Sequence, residues 1–308
     1  MLNINKLKGR VSTSDCIRNI SKPLSDCTWK RIRSYYECDN YFDSVEQKEN
    51  YRNKWMTCDK FDIPNPYIGF EPQLYNVDCV GYESIMLGMF EIMYGPENDI
   101  ATDNGVSKIN ELIPMYSRDG YNFSHPCRES IINASIYKGA WDRGYVQSVG
   151  GVMVINGDEL WIYYSAYCGN ENFSNKKGNA DIYLCNGTYW GGATGLAKIR
   201  RDGFVFLNGD GCITTRKLEM SEKATMHINI VGKVTAEILN AEGKSLARSE
   251  TFSGDSTNAL LTFKNFDIKE MNNKLFRVKF EVSGKLYSFG FADEKGDFGG
   301  ARAAGVVK

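Results

Sequence analysis

Two apolar, aromatic-rich runs meet across an Asn-Gly pair. Val152-Met153-Val154-Ile155 leads into Asn156-Gly157-Asp158, and Glu159-Leu160-Trp161-Ile162-Tyr163-Tyr164 follows. Asn-Gly supplies the positive φ angles that a two-residue hairpin turn requires, so this stretch predicts two neighbouring antiparallel strands. A second run, Ile85-Met86-Leu87-Gly88-Met89-Phe90-Glu91-Ile92-Met93-Tyr94, is too continuously apolar for a half-exposed strand. It predicts a strand covered on both faces.

A weak internal repeat extends the pattern. Met115-Tyr116-Ser117-Arg118-Asp119-Gly120 precedes Phe123-Ser124-His125-Pro126, and Ala197-Lys198-Ile199-Arg200-Arg201-Asp202-Gly203 precedes Phe204-Val205-Phe206. A related piece, with Ser12-Thr13-Ser14-Asp15 before Ile20-Ser21-Lys22-Pro23, stands near the N-terminus. Ahead of the second and third copies lie strand pairs, Gln73–Glu83 with 85–94 and 145–155 with 159–166. Four-stranded antiparallel units repeated in this way are expected to be β-propeller blades, with Asp-Gly closing the outer hairpins. The aromatic, charged stretch 27–66 and the polar stretch 169–191 read as long inter-blade insertions, the first with helical turns near 44–54.

After Leu218 the texture changes. Met226–Val231 and Val234–Leu239 alternate as separate strands, and a hairpin is expected at Ser283-Gly284-Lys285 between 275–282 and 286–291. Short strands at near-regular spacing predict a β-sandwich over 216–308, following propeller blades over 1–215 and joined to them near 207–218. The Gly/Ala-rich tail from Asp293 is expected to be loose.

Lys plus Arg number 37 and Asp plus Glu 38, which gives no bulk attraction to nucleic acid or anionic lipid. No apolar run is long enough to cross a bilayer, and no secretory leader is expected at Met1. The nine cysteines contain no CxxC pair and read as free thiols, which favour a reducing, cytoplasmic setting. With only His125 and His227 present, no His-based triad and no multi-His metal site is expected, and no cofactor is implied.

Several segments together resemble the five-bladed propeller glycosidases of glycoside hydrolase families 32 and 43. They are Tyr82-Glu83-Ser84-Ile85-Met86-Leu87-Gly88, Tyr116-Ser117-Arg118-Asp119-Gly120, Trp141-Asp142-Arg143-Gly144, Gly157-Asp158-Glu159-Leu160-Trp161 and Gly195-Leu196-Ala197-Lys198-Ile199-Arg200-Arg201-Asp202-Gly203. The resemblance continues through Thr214-Thr215-Arg216-Lys217-Leu218 to Leu286-Tyr287-Ser288-Phe289-Gly290-Phe291, and order and spacing carry it. It implies a five-bladed propeller, N-terminally incomplete here, followed by a β-sandwich. It further implies hydrolysis of an oligo- or polysaccharide by two carboxyl groups. The family's first-blade Asp and its Arg-Asp-Pro motif have no counterpart in this chain, whereas Glu83 stands where the family's acid opens an inner strand.

The candidate catalytic residues are therefore Glu83 and Asp142, with Asp78, Tyr82, Trp141 and Arg143 as candidate sugar contacts. Each has a plainer reading beside it: a structural acid for Glu83, a turn cap for Asp142, packing for the rings, a surface ion pair for Arg143. The alternative function is a non-catalytic carbohydrate-binding or interaction propeller. An incomplete propeller would leave Met86, Met89, Phe90 and Met93 unneighboured, to be covered by the 27–66 stretch or by a second copy.

Overall fold

The computed structural model describes residues 11–18, 29–37, 53–97, 100–101, 106–170, 189–299, 301–302 and 305–307. The protein is all-β, and the described residues form sixteen strands in four sheets. They divide into two compact units: residues up to Val154 with Trp161–Ala197 and Ala301–Val306, and a second made of Ile155–Leu160, Lys198–Gly300 and the last two residues.

In the first unit, β1 (Val11–Arg18), β2 (Trp29–Tyr36) and β3 (Asn53–Thr57) form one antiparallel sheet, with Val11 opposite Tyr36 and Arg18 opposite Trp29. The stretch read as an insertion thus supplies strands; its Tyr35 and Trp55 are aromatic residues suited to a pleated surface. The expected helical turns near 44–54 lie largely outside the described residues. A second sheet runs β15-β4-β5-β6, where β4 is Gln73–Glu83, β5 Ile85–Gly95, β6 Ile109–Ser117 and β15 Ala301–Arg302. A third runs β16-β7-β8-β9, from β7 (Gly144–Asn156), β8 (Glu159–Tyr167), β9 (Ala193–Arg200) and β16 (Gly305–Val307).

Both of these sheets have four strands, but the fourth is not the one read from the repeat. After Asp119 two isolated bridges, Tyr116 to Ser124 and Leu112 to Ile132, take the place of a continuous fourth strand. Asp119 instead accepts backbone hydrogen bonds from Tyr121 and Asn122 and closes a local turn. The edge strands come from the C-terminal tail, which was expected to be loose: Ala301 pairs with Glu83 and Arg302 with Tyr82. Short segments of this kind satisfy exposed edges once the rest of the sheet is formed, and no periodicity marks them in advance.

The buried face of β5 follows its sequence. Met89, Phe90, Ile92 and Met93 are at most 1% exposed, which confirms a strand covered on both sides. Phe90 and Ile92 join Leu74, Val77, Ile113, Met115 and Cys58 in one cluster, with Trp55 and Met56 packed against it. The stretch 27–66 therefore covers the face of β5 that carries Phe90 and Ile92, through β3 and Cys58 after it.

In the second unit, β10 (Leu207–Thr214), β14 (Phe276–Ala292), β11 (Thr225–Asn240) and β12 (Ser245–Arg248) lie in that order, and β13 (Phe252–Leu261) also pairs with β11. Two expected strand pairs are single long strands instead. Ser283-Gly284-Lys285 is no hairpin but the middle of β14, and Gly232 lies inside β11. The stretch read as the connection near 207–218 contains β10. Gly209 stands opposite Gly284, Gly284 opposite Gly232, and Gly232 opposite Gly254. All four have positive φ, from 129° to 155°. A Cβ on Gly232 or Gly284 would meet the facing backbone at 2.2 Å. The row is a bend line on which only glycine can stand, and it lets the strands cross without stopping. The core of this unit gathers Phe276, Val278 and Phe280 of β14 with Ile228, Ile230, Val234, Ala236 and Ile238 of β11.

Candidate functional site

Trp141 and Asp142 sit on a loop tied at its base. Ser135 N–H donates to the Asp142 carbonyl at 3.0 Å and Ile136 N–H to that of Arg143 at 3.1 Å. The Ser135 hydroxyl donates to Asp142 Oδ1 at 2.6 Å, so the carboxylate is aimed by its own loop. Ile136 has φ 55°, a conformation that a β-branched side chain strongly disfavours and that needs its surroundings to hold it. Between these ties Tyr137 is 74% and Trp141 41% exposed. The indole tilts against Tyr164 of β8 with ring centroids 5.8 Å apart. Burial raises the Tyr164 phenol, and the nearby Asp142 charge raises it further. The sequence candidates Trp141 and Asp142 are thus brought together, with Tyr164 as a third member that the sequence reading missed.

Glu83 belongs to a different element. It ends β4 at the one-residue turn to β5, with φ 49°, and pairs with β15. The sequence reading set it at the head of an inner strand. The structure sets it in the hairpin turn, half-buried. Tyr82 beside it is only 3% exposed, so its ring is packed inside. Asp78, mid-β4, accepts a hydrogen bond from the Ser148 hydroxyl of β7. Arg143 takes part in the loop tie through its carbonyl and is half-buried.

Among the described residues, the carboxyl group whose environment most favours its protonated form is Glu91 of β5. It is fully buried, and desolvation pushes its pKa up to about 8 against the hydrogen bonds it receives from Asn110 and Gln147; the charge of Asp78 adds to the rise. Asn110 Nδ2 donates to Glu91 Oε1 at 2.6 Å. A lone carboxyl in the run Met89-Phe90-Glu91-Ile92-Met93 was the available signal. Its enclosure makes it a core acid, not a group that meets substrate.

Close by, Lys108 is 1% exposed among tyrosines. Its ammonium donates to Tyr75 Oη at 2.9 Å and stands 4.7 Å from the Tyr75 ring and 5.2 Å from that of Tyr145. The Tyr75 and Tyr145 hydroxyls share a hydrogen bond of 2.9 Å. Burial holds Lys108 down to about 8, while the charges of Glu97 and Glu91 work against that fall. The rings stabilise the cation, as cation–π contacts do when desolvated.

The donor atoms of Asp59, Asp62 and His125 lie within 4.8 Å of one another. Arg128 already occupies the acidic pair, donating to Asp62 at 2.5 Å and to Asp59 at 2.9 Å. The hydrogen bonds from Arg128 and the Phe61 amide hold the Asp59 carboxyl below its ordinary range. That is a closed ion-pair cluster, and His125 stacks on Phe90 beside it.

On the second unit, a groove of about 230 Å³ is lined by Phe206, Ile213, Phe280, Leu286 and Phe289 among others. Its apolar walls lack the dense hydroxyl-matching groups that a sugar needs.

No known family and no curated protein matches the chain. Among solved structures it is similar to a glycoside hydrolase family 43 arabinoxylan arabinofuranohydrolase from Bacillus subtilis. That likeness has 11% identity and a TM-score of 0.25, over 92% of this chain and 64% of that one. It is also similar to the family 32 β-fructofuranosidase of Bombyx mori, at 10% identity and a TM-score of 0.26, over 97% of this chain and 78% of that one. A glycosyl hydrolase from Bacteroides ovatus follows at 9% identity and a TM-score of 0.24, over 95% and 83%. The chain spans 64% of the length of the first of these. The link is a weak likeness at the level of fold, and at those TM-scores it carries no argument about chemistry.

Proposed function

We propose that the chain is a glycoside hydrolase-like protein of propeller-and-sandwich architecture that engages an oligo- or polysaccharide through the Trp141–Asp142 loop. The observation that carries this reading is the pair of exposed rings, Tyr137 and Trp141, on the same loop as a carboxylate that accepts from the Ser135 hydroxyl. An apolar ring face covers the C–H face of a pyranose or furanose while the carboxylate accepts from its hydroxyls. A carboxylate in that place also disfavours acidic sugars, so the glycan is neutral. Glu83 is the proton donor in this reading, and Asp78 and Arg143 are secondary polar contacts.

A second reading is a non-catalytic carbohydrate-binding module. The enclosure of Glu91 favours it, because this carboxyl, held protonated near neutrality, is out of reach of a glycosidic oxygen. Two measurements separate the readings. Binding to a panel of neutral polysaccharides should weaken about tenfold or more in Trp141→Ala, as for a stacked aromatic anchor. If the chain hydrolyses those glycans, Glu83→Gln should lower kcat/KM on the order of 10²–10⁴-fold while sparing aryl glycosides with acidic phenols. Asp142→Asn should weaken both substrate types alike. Binding without hydrolysis selects the second reading, and loss of neither activity nor binding in all three variants refutes both.

A further inference from the structure

We infer that Gly195 is the positioning residue that sets the angle of the Trp141 platform, an inference that rests on the carbohydrate reading above for its functional meaning. Gly195 lies in β9, buried, and its φ is outside the left-handed region, so the backbone there does not require glycine. The requirement is space. A Cβ at Gly195 would stand 2.5 Å from Tyr164 Cζ, 2.6 Å from Tyr164 Cε1 and 2.7 Å from the outer edge of the Trp141 indole. Both rings of the platform therefore rest against the bare backbone of one residue. Tyr164 reaches it from β8 and Trp141 from the loop, and their tilt of 36° is the geometry that this contact permits.

The atoms in the way are the far ends of two aromatic side chains, not backbone. A methyl group at this place is thus absorbed by movement of the rings, and β9 keeps its course. The indole is the freer of the two, being 41% exposed, so it moves outward while Tyr164 stays packed. That displacement separates the ring face from the Asp142 carboxylate, whose place is fixed independently by Ser135. The sugar then meets either the ring or the acid, not both. Asp142 and Trp141 together select the sugar, and Gly195 decides whether they act together.

The test uses the full chain labelled with 5-fluorotryptophan, in which the Trp141 ¹⁹F resonance is assigned by its loss in Trp141→Phe. Gly195→Ala is expected to shift that resonance and leave the thermal midpoint close to that of the parent. It is also expected to weaken glycan binding about tenfold, and to have no further effect on binding when Trp141 is already alanine. Gly195→Ser should behave in the same way. An unmoved Trp141 resonance in both variants overturns the proposal, as does an equal loss of binding from Gly195→Ala in the Trp141→Ala background. If the parent binds no neutral glycan while the resonance shifts as expected, the carbohydrate reading fails and the positioning of Trp141 by Gly195 stands.

Discussion

Two buried ionisable groups, Glu91 and Lys108, give the folded chain opposite pH dependences. Folding raises the Glu91 pKa from its ordinary 4.5 to about 8, so between those values the folded state holds a proton that the unfolded chain releases. Stability from this group is full below pH 4.5 and falls as pH rises toward 8, with a limiting slope of about 1.4 kcal/mol per pH unit. Lys108 is lowered from 10.5 to about 8, so between those values the unfolded chain binds the extra proton and stability rises with pH. Glu91→Gln should keep the Asn110 contact and remove the first slope. Urea midpoints from pH 5 to 8 should fall steadily in the parent and stay nearly level in the variant; parallel curves would show that Glu91 is ionised in the fold. Lys108→Met should abolish the rise between pH 8 and 10.

At the scale of elements, the glycine row across β10, β14, β11 and β13 decides the second unit. Gly232→Ala and Gly284→Ala each add a Cβ that meets facing backbone at 2.2 Å, on a residue with φ near 130°. Each should cost about 2–4 kcal/mol. Gly211→Ala is the matched control, since a Cβ there meets nothing within 4 Å and its φ is ordinary. It should change stability by less than about 0.5 kcal/mol. Chemical denaturation of the three variants measures this; equal costs at Gly232 and Gly211 would remove the bend line as the reason for glycine. The same row explains why a hairpin was expected at Ser283-Gly284-Lys285: a glycine between polar residues carries the same local signal whether the chain turns back or bends and goes on. Only pairing to Gly232 on the neighbouring strand distinguishes the two.

At the scale of the molecule, the C-terminal segment closes two sheets of the first unit. Removing residues 300–308 deletes β15 and β16 and leaves β4 and β7 as bare edges. The expected result in calorimetry is a lower transition for the first unit and little change in that of the second, with greater self-association through the exposed strands. An unchanged pair of transitions would mean that the tail adds nothing to the sheets.

Local pattern alone determined the all-β class, the Asn156-Gly157 hairpin and the doubly covered β5, because alternation and turn chemistry are properties of adjacent residues. Trp141 and Asp142 were marked instead by the segment Trp141-Asp142-Arg143-Gly144, through its resemblance to the propeller glycosidases and its place just before a strand. Local pattern could not show that Tyr164 and Gly195 complete that platform, that Tyr82 faces inward, or that Glu83 falls in a turn. Those depend on which strands become neighbours, and strand pairing over long separations is decided by burial and register in the assembled sheet. The same holds for Glu91 and Lys108: their residue types are legible in the sequence, but their altered proton affinities arise from desolvation, which only the packed interior imposes.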